Sequence, residues 1–171
     1  MPVAIKIGRR FAVFFSNMDI EKCTIADYHQ IITNISDFWG SDRLLSIHHP
    51  IFIYEFGNTA YVIKIDNHVI AYLFGFIAQT SPTAYVHLVG VHKDFQNKGI
   101  GSGLYNHFVS YAKEKGCTKL KATTSPTNSL SVAFHKKFGM RLLGEKNADG
   151  LEVVSGYSRP GQDTVVFEKD I

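Results

Sequence analysis

A chain of 171 residues with 45% hydrophobic content is long enough for one sizeable core, so a single domain over residues 1–171 is expected. The net charge of +3 arises from 18 basic and 15 acidic residues scattered along the sequence, with no basic run of the kind that marks nucleic acid as the main partner. No window reaches the ~18 apolar residues of a membrane span, and "FAVFF" after Lys6, Arg9 and Arg10 is too short for a secretory signal and precedes no small-residue cleavage site. Cys23 and Cys117 match no metal-ligand spacing, so a cytoplasmic protein with two reduced thiols and no membrane contact is expected.

In chain order, residues 1–18 read as an extended piece ahead of the main pattern. "IEKCTI" suits a short strand, and Thr24 followed three residues later by Asp27 resembles an N-cap for a helix over "IADYHQIITNI". The next segment, Ser36 to Asn58, combines a turn at Gly40 with a second helix that Pro50 limits. "TAYVIKI" and "VIAYLFGFIAQ" are rich in β-branched and aromatic residues and flank a turn at "DNH", the pattern of an antiparallel pair. "TSPT" leads into a third strand, "AYVHLVGV", which Gly90 interrupts. Such a glycine marks a bulge, a ligand lying against the backbone, or close packing. Ile100, Leu104, Phe108 and Ala112 then recur every four residues as a helical face that Gly116 stops. "TKLKATT" is the next strand, a further helix runs from near Asn128 to Gly139, and "MRLLGEKN" and "DTVVFEK" read as closing strands around a Gly-rich loop, 148–163. The chain is therefore read as a strand-rich α+β domain.

Between the third strand and the helix after it, "QNKGIGSG" packs three glycines into five residues. Gly99, Gly101 and Gly103 miss the dinucleotide spacing G-x-G-x-x-G by one residue, and the turn lacks the G-K-[ST] ending of a P-loop. General physics still applies: successive N–H groups at a helix N-terminus, unshielded by side chains at Gly99 and Gly101, form an anion site that suits a pyrophosphate. A plain helix-capping turn is the alternative, although it has no need of both glycines together with Gln96.

"QNKGIG", Gln96 to Gly101, resembles the R/Q-x-x-G-x-G/A signature of the GNAT superfamily of N-acetyltransferases. "NSLSVAFHKKFGM", Asn128 to Met140, resembles that superfamily's later helix, N-x-x-A-x-x-F-Y-x-K-x-G-F. The element order from Ile20 to Glu168 is similar too, so the resemblance covers most of the chain. It implies a GNAT (acyl-CoA N-acyltransferase) fold, α+β, with a mixed, mostly antiparallel sheet splayed at the cofactor site and helices on both faces. It also implies acetyl-CoA as the acetyl donor, with no metal.

Carried onto these residues, the resemblance implies that the pantetheine arm lies along Val89, Gly90 and Val91. A bulge at Gly90 would free an N–H for the thioester carbonyl and the developing oxyanion. Gln96, Asn97, Lys98, Gly99, Ile100, Gly101 and Ser102 would hold the pyrophosphate, with charge from Lys98 and Lys93. Asn128, Ser131 and His135 fall at i, i+3 and i+7, a polar stripe that would face the cofactor, while Leu130, Phe134 and Phe138 face the core. Asn128 would cap the helix or bond the pantetheine amides. His135 stands where the family most often has a tyrosine that protonates the departing thiolate, and imidazolium is a competent acid for that step. Tyr85 and His87 share a strand face with Val89 and Val91 and are the candidates for the base that deprotonates the amine.

For the acceptor, "FWGSDR" sets the only tryptophan, Trp39, near Asp42, an arrangement suited to a cationic amine, with ordinary core packing of Trp39 as the alternative. The adjacent His48 and His49 lack a third metal ligand. The expected activity is transfer of the acetyl group of acetyl-CoA to a primary amine, on a small molecule or a peptide, by direct attack in a ternary complex. The alternative is a non-catalytic acyl-CoA-binding or sensing module on the same fold. A homodimer through the closing strand or the N-terminal segment is compatible with the sequence.

Overall fold

Turn residues and apolar periodicity divide the chain, described over residues 19–171 of a computed structural model, into nine strands and five α-helices among the described residues. The extended piece expected over residues 1–18 lies outside the described residues. Contacts group the chain into two units, one containing the described residues up to Tyr72 together with Gly90–Leu104, the other Leu73–Val89 with Tyr105–Ile171.

The first unit begins with β1 (Ile20–Lys22) and α1 (Ile25–Thr33). The expected cap is present as a full capping box: Asp27 N–H donates to Thr24 Oγ1 at 3.2 Å, and Asp27 Oδ2 accepts from Thr24 N–H at 2.9 Å. Asn34 ends α1 two residues before the expected limit, and a separate helix, α2 (Ile35–Trp39), follows and stops at Gly40, which is left-handed at φ +70°. The single second helix expected up to Pro50 is replaced by a 3₁₀ turn (Leu45–Ile47) and a short α3 (Ile51–Tyr54), with Pro50 at the N-cap of α3. Proline fits there because the lost N–H had no helical partner.

β1 pairs antiparallel with β2 (Ala60–Ile65), in register Ile20↔Ile63, and β2 neighbours β3 (His68–Ile77). Asp66 and Asn67, at φ +48° and +61°, make the expected turn; two left-handed residues are what a tight hairpin of this hand requires. Ile31, Phe38, Tyr61, Val62 and Ala71 are among this unit's fully or nearly fully buried side chains, and Cys23 lies with them.

In the second unit, the latter part of β3 neighbours β4 (Thr83–Val91), and β4 pairs parallel with β5 (Lys119–Thr124), from Thr83↔Lys119 to Val86↔Ala122. Parallel neighbours need a crossover, and α4 (Ile100–Glu114) supplies it. The expected four-residue stripe of Ile100, Leu104, Phe108 and Ala112 is buried, and the chain turns at Gly116, φ +78°. After α5 (Ser129–Lys137), "MRLLGEKN" divides at Gly144 into β6 (Arg141–Leu143) and β7 (Glu145–Lys146). Gly144 sits at φ +97° with a would-be Cβ only 2.0 Å from the Val153 carbonyl oxygen, so glycine is required. The Gly-rich loop also holds an unexpected strand, β8 (Glu152–Ser155).

β9 (Asp163–Asp170) pairs antiparallel with β5, β6 and β8. The closing strand is thus internal to its sheet and buried over Thr164–Glu168, which removes it as the expected dimer edge. Glu168 is buried yet faces Lys119 Nζ at 3.1 Å, Lys121 Nζ at 3.5 Å and the Arg141 guanidinium. Burial raises its carboxyl pKa, but Lys119, Arg141 and Lys121 outweigh that and leave it below the usual range. The expected core-facing side of α5 needs one correction, because Leu130 is 83% exposed.

Candidate functional site

The glycine turn is built in the first unit. β4 ends at Val91, a 3₁₀ turn (Lys93–Phe95) follows, and α4 begins at Ile100. Asn97 (φ +60°) and Gly99 (φ +81°) are both left-handed, which folds the chain back so that Gly99 carbonyl accepts the N–H of Gly103 at 3.0 Å. The N–H groups of Ile100, Gly101 and Ser102 therefore open the helix without intrahelical acceptors. Gln96, Asn97, Lys98 and Gly99 are exposed, and nothing lies within 4 Å of a would-be Cβ at Gly99. Gln96 braces the turn, donating from Nε2 to the Val91 carbonyl at 3.0 Å. Lys98 donates to the Asp94 carbonyl at 2.8 Å, which sets its ammonium group beside the turn. Lys93, offered as a second cation, instead pairs with Asp37 at 2.7 Å.

Along β4, burial alternates residue by residue: Tyr85, His87, Val89 and Val91 are half-buried, and Ala84, Val86, Leu88 and Gly90 are buried. The shared face expected for Tyr85, His87, Val89 and Val91 is therefore present. Two backbone bonds bracket the β3–β4 pair, Ala78 N–H to Thr83 O and His92 N–H to Ile70 O, both at 2.8 Å. Ile70 and Ala78 are eight positions apart, whereas Thr83 and His92 are nine apart. One extra residue on β4 is the count that defines a β-bulge.

Gly90 itself faces a tyrosine. A Cβ there would lie 2.5 Å from Tyr72 Cε1 and 2.6 Å from Cζ, so the ring fills the space a side chain would need. Tyr72 is in turn locked by a directed chain of hydrogen bonds. His48 Nδ1 lies 2.7 Å from the Leu44 carbonyl, which can only accept, so Nδ1 carries the proton. His48 Nε2 then accepts the Tyr72 hydroxyl at 2.6 Å, and Tyr72 Oη accepts Trp39 Nε1–H at 2.6 Å. Tyr28 holds the His48 backbone, its hydroxyl donating to the His48 carbonyl at 2.5 Å. Trp39 is thus half-buried and hydrogen-bonded inward, while Asp42, beyond Gly40, is exposed. His49 is engaged separately, accepting Ile51 N–H at Nδ1, so the two adjacent histidines serve different partners. Sequence reasoning missed Tyr72; the only trace was the strand glycine at 90, which signals a bulky neighbour without naming it.

In the second unit, Tyr85 Oη lies 2.7 Å from Thr123 Oγ1 and its ring stacks on Phe76 at 5.0 Å. Burial raises its pKa, the Thr123 bond opposing. Asn128 adopts the capping role, its Oδ1 accepting Ser131 N–H at 3.1 Å. His135 is 4% exposed, stacked on Phe167 at 4.2 Å. Its Nδ1 lies 2.7 Å from the Ser131 carbonyl and so carries a proton, with Ser131 Oγ at 3.2 Å, and Nε2 accepts the Tyr105 hydroxyl at 2.7 Å. Burial pushes its pKa down to about 4, the Ser131 carbonyl opposing. The ring expected to act as an imidazolium is therefore a neutral imidazole at pH 7, with both nitrogens engaged in the protein.

Three comparisons bear on this geometry. A model of the Acetyltransferase (GNAT) family matches residues 27–140. The chain is 26% identical over 97 residues, 57% of its length, to an aminoglycoside N(6')-acetyltransferase type 1 of Acinetobacter baumannii. It is 33% identical over 76 residues, 44% of its length, to an uncharacterized N-acetyltransferase of Methanocaldococcus jannaschii. The aligned segments span 66% and 30% of those relatives. Among solved structures, the paiA N-acetyltransferase of Thermoplasma acidophilum in complex with coenzyme A superposes with a TM-score of 0.67 at 17% identity, covering 91% of this chain and 99% of that one.

Proposed function

This chain belongs to the GNAT family of acetyltransferases, and on that premise we propose that it transfers the acetyl group of acetyl-CoA to a primary amine by direct attack. The observation that carries the reading is the turn from Gln96 to Ser102, exposed over Gln96–Gly99, where three N–H groups open α4 and no side chain shields Gly99. A pyrophosphate would accept from Ile100, Gly101 and Ser102 N–H, with the helix dipole and Lys98 favouring its charge. Acetyl-CoA supplies an acyl group already activated as a thioester.

The backbone of Val89, Gly90 and Val91 would hold the acyl-bearing arm, and Gly90 N–H would bond the carbonyl oxygen as negative charge develops there. The amine must lose a proton before or during attack, and Tyr85 and His87, on the half-buried face of β4, are the groups proposed to take it, directly or through water. His135 is assigned a different task from the acid expected of the sequence. As a neutral acceptor it fixes Tyr105, so the departing thiolate draws its proton from elsewhere. Trp39 and Asp42 remain the proposed acceptor-side residues, and Asn128 and Ser131 the proposed α5 contacts with the cofactor.

The test is thiol release from acetyl-CoA across polyamines, amino acids, aminoglycosides and short peptides. Release above background with one class supports the reading and identifies the acceptor type. Absence of acetyl-CoA binding by calorimetry overturns it.

A further inference from the structure

In the Trp39–Tyr72–His48 chain, buried Tyr72 and His48 have no part in the reading above, yet the chain ends on the residue assigned to the thioester. Tyr72 and His48 are buried and Trp39 half-buried, and such polar side chains are costly unless each is paired, whereas an apolar trio of similar shape would pack there without that risk. What the polar trio adds is direction. Leu44 carbonyl fixes the tautomer of His48, His48 Nε2 fixes the Tyr72 hydroxyl, and Trp39 Nε1 bonds the same oxygen, so the tyrosine ring is held at two 2.6 Å contacts. That ring lies where the side chain of residue 90 would be, at 2.5–2.9 Å from a Cβ position. Displacement of the ring toward residue 90 therefore meets the Gly90 backbone with no side chain of residue 90 between. Phe38 adds an edge-on contact to Tyr72 at 5.2 Å.

We propose that His48 is a positioning residue, which acts through the Tyr72 ring to aim the Gly90 N–H at the acyl carbonyl. This rests on the proposed placement of acetyl-CoA along Val89–Val91. It assigns a function to a histidine that neither metal binding nor proton transfer to substrate explains, and it links the segment after α2 to the strand that holds the acyl group.

The test uses the infrared band of the thioester carbonyl of carbonyl-¹³C-labelled acetyl-CoA bound to the full chain, with affinity measured by calorimetry. In the native protein the band is expected at lower wavenumber than in free acetyl-CoA, because an N–H donor polarises the carbonyl. Tyr72→Phe, which keeps the ring but not its hydroxyl, and His48→Phe are expected to return the band toward the free position while affinity changes by no more than about three-fold, since the pyrophosphate contacts persist. His48→Gln, whose amide oxygen can accept the Tyr72 hydroxyl, is expected to restore the shift. Cooperative melting of each variant establishes that it is folded, and Tyr72→Phe decides the matter where His48→Phe does not fold. A shifted band in the native protein that stays unchanged in folded Tyr72→Phe overturns the inference alone. Failure of the native protein to bind acetyl-CoA, or an unshifted native band, overturns the inference together with the reading beneath it.

Discussion

Gly90 and Tyr72 share one volume, and that fact makes a residue-level forecast. Adding a methyl group at position 90 places it 2.5 Å from a ring carbon, well inside contact distance, and the ring is anchored through its hydroxyl, at the end that meets residue 90, and cannot swing away freely. Gly90→Ala is expected to lower stability by about 1–3 kcal/mol, the usual cost of overpacking, read by chemical denaturation. Combining it with Tyr72→Leu should cost less than the sum of the two single changes, because the second removes the obstacle that makes the first expensive. A sum that is strictly additive would mean that the two side-chain positions do not meet.

At the scale of an element, two glycines, Gly99 just before α4 and Gly103 within it, have opposite expectations. Gly99 has φ +81° and open space around it, so Gly99→Ala meets no neighbour but forces a left-handed alanine. A loss of about 1 kcal/mol is expected, with weaker acetyl-CoA binding by calorimetry. Gly103 is exposed inside the helix, also with nothing within 4 Å of a Cβ. Gly103→Ala should therefore raise stability by about 0.5–1 kcal/mol and leave acetyl-CoA affinity unchanged. The sequence distinguished these poorly, since three glycines in five residues look alike until backbone angles separate them. It was more informative for α4 itself, whose four-residue apolar period survives as buried Ile100, Leu104, Phe108 and Ala112, and for the Thr24–Asp27 capping box, where partners are three residues apart. What it hid were interactions closed by distant residues. His135 sits on a polar helical stripe by spacing, yet Phe167 and Tyr105, from elsewhere in the chain, bury it. Pro50 likewise reads as a stop but begins a helix, because proline is equally acceptable at both boundaries.

Over the whole molecule, two buried groups of the second unit, His135 and Glu168, set an acid limit on stability. An unfolded chain protonates His135 near its ordinary 6.5, the folded chain only near about 4. The unfolded state therefore binds more protons within that window, so the stabilisation is complete above pH 6.5 and is lost as the pH falls toward 4, by about 3 kcal/mol. Glu168, whose pKa is lowered in the fold, contributes stability that is present above its ordinary value and declines as the pH drops further. Denaturation curves from pH 8 to pH 3 should show this fall beginning near pH 6.5. His135→Gln should flatten its upper part while leaving the lower part intact. The cysteines carry a practical corollary. Cys23 is buried in one unit with its thiol pushed up to about 12 by burial and by Asp27, Lys64 opposing, and Cys117 is buried in the other with its thiol also raised. Neither is a ready nucleophile in the native state. A chromogenic disulfide reagent should thus see released coenzyme A with little background from the protein, and over longer times its slow reaction at each cysteine becomes a separate clock for the opening of each unit.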